Sequence, residues 1–190
     1  MSLEHELLTQ RFRRTRELES LGHRPYGARF DFSHAVPEIW AGFGEKTAEE
    51  LDAEKIAVRV CGRIQSIRGK GKAGFMHLEQ GGERLQVYIK IDLLGEADFQ
   101  LYQMLDIGDI IGVDGTLFRT RTGELSVQAA RLTFLSKTLL SMPEKFHGLE
   151  DVETRVRQRY LDLISNTDVR KTFIARAKVV ASIRRQLDAR

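Results

Sequence analysis

From Ile56 onward the chain is a succession of short apolar–polar alternations, and this feature limits its fold more than any other. "IAVRVCGRIQSIR", "GFMHLEQ", "RLQVYIKI", "DIIGVDGTLFRT" and "ELSVQAARLTFLS" read with period 2, the repeat of a strand that buries one face. "GGE" at 81–83 and "RTG" at 121–123 supply the glycines that hairpin turns need. Between the third and fourth strands, "EADFQLYQML" reads as a single helix of about three turns. Ahead of the strands, residues 4–21 set Leu7, Leu8, Leu18 and Leu21 among charges, an amphipathic helix ended by Gly22 and Pro25. Residues 25–54 read as an irregular link with one short helix, opened by the capping-box pair Thr47 and Glu50. After the linker "SMPEKFHGLE", residues 151–190 read as helical, with Phe173, Ala177, Val180 and Leu187 on one stripe.

Five strands with a helix between the third and fourth is the element order of an OB-fold. This small Greek-key barrel binds oligonucleotides on its strand 2 and 3 face and neighbouring loops. The expected class is therefore mainly β: a five-stranded barrel over 55–140, preceded by a helical extension and linker over 1–54. A linker over 141–152 and a helical segment over 153–190 follow it.

Composition narrows the function classes. With 42% hydrophobic and 30% charged residues the chain has the makings of a folded soluble protein, and disorder is not expected. It holds no apolar run of membrane-spanning length and no signal peptide, so the cytoplasm is the expected location and a membrane is not an expected partner. A lone cysteine, Cys61, permits no intrachain disulfide, and no Cys or His stands at ligand spacing from it, so no metal site is expected. The net charge of +3 is a weak pointer to polyanions; the clustering of Arg and Lys in 11–16, 63–72 and 155–159 says more. Gly69 to Gly74 satisfies G-x-G-x-x-G, but these glycines run into a strand where a dinucleotide site needs a helix. "VYIK" at 87–90 echoes the strand lysine of protein kinases, yet no H-R-D-type loop or D-F-G follows.

Phasing the strands brings a set of polar and aromatic residues to one face. Leu85, Val87, Ile89 and Ile91 point inward in the third strand, leaving Arg84, Gln86, Tyr88 and Lys90 outward; Leu125 and Val127 point inward in the fifth, leaving Glu124, Ser126 and Gln128 outward. Phe75, with His77 and Glu79, falls on that same outward phase, against the usual burial of a large ring. With Arg68 nearby, the set suits a single-stranded base: the ring stacks, and the polar groups read the base edge. Gln86 donates and accepts, Arg68 only donates and Glu124 only accepts, so together they can tell bases apart. Arg63, Lys70 and Lys72 are the expected contacts to an RNA backbone. Phasing leaves a second possibility open, in which Phe75 packs under the N-terminal helix and Glu124 merely begins a strand.

"EKFHGLEDVETRVRQRYLDLISN" followed by "RKTFIARAKVVASIRRQLDAR" closely resembles class II lysyl-tRNA synthetases of the bacterial type. "GDIIGVDGTLFRTRTGELSV" resembles their strand 4 to strand 5 hairpin, and "RTRELESLGHRPYGARF" their leading helix and G-x-x-P-Y turn. The resemblance covers the chain apart from its first few residues. It implies that the barrel binds a tRNA anticodon, with Arg68, Phe75, Gln86 and Glu124 in the positions of the family's base-reading residues. It also implies that the chain stops at Arg190 inside the motif 1 helix, before the residues that hold ATP. No catalytic residue and no cofactor are then expected in this fragment, which should be inactive alone; ATP, Mg2+ and a homodimer are expected of the full-length lysine-tRNA ligase. Two alternatives are a freestanding OB-fold protein that binds single strands without preference, and an aspartyl or asparaginyl member of the same subclass. "HGL" and "RQRYLDLI" argue for lysine.

Overall fold

The computed structural model describes residues 3–140 except 28 and 70, then 142, 149 and 151–189. The expected linker "SMPEKFHGLE" thus lies almost wholly outside the described residues, as does Lys70. The chain divides into two compact units, Met1–Ser141 and Met142–Arg190.

In the first unit, five strands form β1 (Ala57–Arg68), β2 (Ala73–Gln80), β3 (Glu83–Lys90), β4 (Ile110–Arg119) and β5 (Leu125–Ser136). They close into a barrel in the order β1-β2-β3-β5-β4, with β1 pairing back onto β4. Every pairing is antiparallel except β3 with β5, which is parallel. This is the expected five-stranded Greek-key barrel. Gly81 and Gly82, at φ +65° and +97°, let two residues turn β2 into β3 where side chains with a Cβ would be strained.

The alternation fills the barrel as phased. Met76 and Leu78 of β2, with Leu85, Val87 and Ile89 of β3, are completely buried, and each such side chain stabilises the fold by about 1.5–3 kcal/mol relative to exposure. The segment expected as one helix, "EADFQLYQML", is helix α5 (Glu96–Met104); a short unexpected helix, α4 (Ile91–Leu94), precedes it across Gly95 at φ +82°. Ile91, expected as the last inward residue of the third strand, instead opens α4 and packs against the core from there. α5 adds Phe99, Leu101 and Tyr102 to that core, and the Tyr102 hydroxyl donates to the Gly69 carbonyl at 2.5 Å, pinning the start of the β1–β2 loop.

Helix α1 (Leu3–Ser20) docks through a buried ionic cluster. Lys137, fully buried, donates to Asp106 at 2.6 Å and to Asp109 at 2.7 Å. Arg14 of α1 pairs with Asp106, and Arg11 donates to the Thr138 carbonyl at 3.2 Å. Residues 25–54 are more ordered than expected. Two helices lie there, α2 (Val36–Phe43) and α3 (Ala48–Glu54), and the Thr47–Glu50 capping box opens the second. Ahead of them the ring of Phe30 lies on Gly112 of β4, a position where any Cβ would collide with it, and the Arg59 guanidinium covers the ring at 4.3 Å.

In the second unit the expected helical run is three helices, α6 (Val152–Arg157), α7 (Arg159–Ser165) and α8 (Thr167–Asp188). Asp162 ties them together, accepting from Arg155 at 3.0 Å, from Asn166 at 2.5 Å and from Arg159. α8 carries Ile174, Val179, Val180, Ile183 and Leu187 exposed. No helix among the described residues is long and apolar enough to cross a membrane.

Candidate nucleic-acid interface

Strand register builds the candidate face in two rows. In the first, Arg68 of β1 stands opposite Phe75 of β2, Phe75 opposite Tyr88 of β3, and Tyr88 opposite Gln128 of β5. In the second, Ser66, His77, Gln86 and Ser126 follow one another across the same four strands. Glu124 completes the second row from the turn before β5. Its backbone is fixed twice to Thr120, whose N–H donates to the Glu124 carbonyl at 3.0 Å and whose hydroxyl accepts from the Glu124 N–H at 3.1 Å.

A β-bulge in β1 sets this alignment. Ile64 pairs with Leu78, but the next pairing along is Ser66 with His77, so Gln65 is the extra residue. Because strand side chains alternate, one extra residue exchanges the two faces beyond it. Ile67 packs against the core, and Ser66 and Arg68 turn to the face of His77 and Phe75.

The first row is aromatic. The partly exposed Phe75 ring meets the Tyr88 ring at a centroid distance of 5.0 Å, tilted by 38°, and Tyr88 meets Phe118 at 6.0 Å. The docking contacts of α1 run to Asp106, Thr138 and Leu140, whereas the ring partner of Phe75 is Tyr88.

The second row is polar. Gln86 Nε2 donates to Glu124 Oε2 at 2.6 Å, Ser126 Oγ donates to Gln86 Oε1 at 2.9 Å, and His77 Nε2 lies 3.0 Å from Glu124 Oε1. Gln86, expected to stand outward, is buried at 7% exposure: it has the outward phase, but Glu124 and Ser126 cover it. A fixed amide of this kind discriminates better than a mobile one, because a mismatched partner leaves it unpaired. Arg68 is exposed at the end of β1.

Residues 58–135 match the tRNA anti-codon family, described as an OB-fold nucleic acid binding domain. The barrel has the OB-fold of that family. Over 98% of its length the chain is also homologous to proteins named lysine–tRNA ligase. It is 48% identical over 186 residues to that of Lysinibacillus sphaericus (strain C3-41), and 42% identical over 186 residues to those of Bacillus cereus (strain AH187) and Bacillus anthracis. The chain spans 37% of the length of each of these relatives.

On this OB-fold the four residues expected to read a base are brought to one face, and two of the three backbone candidates are placed differently from one another. Lys72 is exposed in the β1–β2 loop, where its carbonyl accepts from the Ile91 N–H at 3.1 Å. Arg63 stands further along β1, opposite Glu79, and its guanidinium donates to the Gly108 carbonyl at 2.8 Å. His77, Tyr88 and Ser126 were legible as outward by phase but not as parts of one network, which required the register. Among the described residues no group of three or more His, Cys, Asp or Glu side chains is placed to hold a metal ion.

Proposed function

We propose that this OB-fold binds the anticodon loop of a lysine tRNA, reading the middle base with Phe75, Gln86, Glu124 and Arg68. The observation that carries the proposal is the held carboxylate of Glu124, bonded to the buried amide of Gln86 and lying one row from a partly exposed ring. Uracil presents two carbonyl acceptors flanking an N–H donor. Glu124 supplies an acceptor for that N–H, and the second amide proton of Gln86 and the Arg68 guanidinium supply donors for the carbonyls. The base lies on Phe75, with Lys70, Lys72 and Arg63 contributing salt-dependent attraction to phosphates.

The relatives carry the proposal further. The full-length protein attaches lysine to tRNA as a homodimer in the cytoplasm, using ATP and Mg2+, and residues 153–190 begin its catalytic domain. The exposed apolar residues of α8 are in keeping with a dimer.

Titrating the chain with stem-loops carrying UUU and UCU, by fluorescence anisotropy at two salt concentrations, tests the base reading. Cytosine replaces one acceptor with an amino donor and lacks the N–H, so UCU is expected to bind about five- to hundredfold more weakly, the range of about 1–3 kcal/mol for unpaired polar groups. Equal affinities at both salt concentrations would leave an OB-fold that binds single strands without preference.

A further inference from the structure

We infer that His77 is a positioning residue for base discrimination: it holds the Glu124 carboxylate in its reading orientation through an imidazole fixed in the Nε2–H tautomer. The inference rests on the base-reading role proposed above for Glu124.

With a neutral imidazole the hydrogen bonds of the second row have one consistent direction. An ionised carboxylate accepts and cannot donate, so the imidazole nitrogen 3.0 Å from Glu124 Oε1 must carry the proton. In a neutral ring the other nitrogen is then an acceptor. That nitrogen, Nδ1, lies 2.9 Å from Ser66 Oγ, which can donate to it. From the opposite side Ser126 Oγ donates to Gln86 Oε1, which fixes the amide so that its nitrogen points at Glu124 Oε2. Two relays, Ser66 to His77 and Ser126 to Gln86, therefore converge on the two oxygens of one carboxylate. Each oxygen keeps a further lone pair for an incoming donor.

Position in the fold gives each half a different weight. Gln86 is buried and held from both ends of its amide, whereas Glu124 is 44% exposed and sits in a turn. With only Gln86 attached, the carboxylate can rotate about its single bonded oxygen. The imidazole, at 15% exposure, supplies the second point that fixes its plane. The Gln65 bulge belongs to this arrangement, because regular pairing would set Gln65 opposite His77 in place of the short Ser66 hydroxyl.

The test compares UUU and UCU stem-loops on the whole chain. His77→Leu, which keeps bulk and removes both nitrogens, is expected to reduce the UUU over UCU preference about three- to tenfold, the range of one ordinary hydrogen bond, because its effect reaches the base only through Glu124. His77→Gln, whose amide nitrogen reaches the position of Nε2, is expected to restore most of it. Ser66→Ala, a mild change on the partner strand, should reduce the preference by a smaller factor because the tautomer is no longer fixed. In nitrogen-15 spectra of the free protein, His77 should show the protonated Nε2 and unprotonated Nδ1 of one neutral tautomer. A preference unchanged in His77→Leu, a loss that His77→Gln does not restore, equal weakening of both RNAs, or the opposite tautomer would each overturn the inference. Glu124→Gln separates the two levels. If it abolishes the preference while His77→Leu does not, only the role of His77 fails; if neither Glu124→Gln nor Phe75→Ala alters binding, the base reading fails and the inference with it.

Discussion

Phe75 and Leu78 lie three residues apart on β2 and face opposite surroundings. Leu78 is completely buried, and truncating it to alanine is expected to cost about 2–4 kcal/mol, as is Val87→Ala on the neighbouring strand. Both are measured as a shift in urea midpoint, and a midpoint that stays in place would contradict the strand phasing. Phe75→Ala is expected to behave in the opposite way. Its stability should change little, while stem-loop affinity falls about five- to hundredfold, the range for a base stacked on an aromatic ring. Unfolding without loss of affinity per folded molecule would make the ring structural. Period-2 phasing was enough to sort these residues, because it depends only on the alternation of Cβ directions. It could not show that Gln86 is buried. Phase states which way a side chain points, whereas its covering comes from Glu124 and Ser126, about forty positions along the chain.

At the scale of the element, β1 is the strand whose sequence conceals most. In "GRIQSIR" Ile64 and Ile67 stand three apart, which breaks the alternation, but nothing marks Gln65 rather than Ser66 as the extra residue. Deleting Gln65 removes the extra residue, so Ser66, Ile67 and Arg68 are expected to keep their pairing with His77, Met76 and Phe75 and the stem-loop preference to persist; a variant that loses the preference would show that the bulge shapes the face beyond setting its register. Helix ends divide in the same way. Thr47 and Glu50 announce α3 because their side chains satisfy backbone groups that the helix leaves open. α2 follows the N-cap residue Ala35, which has no capping side chain; Pro37 in its first turn and Glu38, which accepts from the Ala35 N–H at 2.7 Å, mark it. The ionic cluster under α1 predicts a pH dependence. Burial pushes the Asp106 carboxyl upward, but its bonds and charge contacts with Lys137 and Arg14 outweigh burial and hold it below the usual carboxylate range. A carboxylate depressed in this way adds stability above its unfolded value of about 3.9, which drains away as pH falls through the lower folded value. Asp106→Asn is therefore expected to cost about 1–3 kcal/mol at neutral pH and to flatten the acid limb of a plot of urea midpoint against pH. A plot parallel to that of the wild type would remove Asp106 from the acid response. Asp109 works in the other direction: burial outweighs Lys137 and raises its carboxyl, so it favours the fold less as pH rises through that value.

For the molecule as a whole, the proposed relation to lysine–tRNA ligases predicts that the isolated chain shows no lysine-dependent exchange between ATP and pyrophosphate. Detectable exchange in a preparation free of host synthetase would refute this. Barrel class and the order of elements along the chain were legible because five alternating segments and their turns are local signals. The parallel pairing of β3 with β5 was accessible only through the fold type, since no local signal joins residues that far apart. That pairing also ties recognition to folding. Gln86 reaches Ser126 and Glu124 only when β5 lies beside β3, so a chain with its hairpins formed but its barrel open has a strand 2 and 3 surface and lacks the proposed reading site. An RNA that binds the closed barrel alone must raise the free energy of opening, by about 2.7 kcal/mol at a free concentration one hundred times its Kd. Cognate stem-loop should thus protect the β3–β5 amides from hydrogen exchange more than an equal concentration of the UCU variant does. The same amides report, without any label on the RNA, how well the anticodon fits.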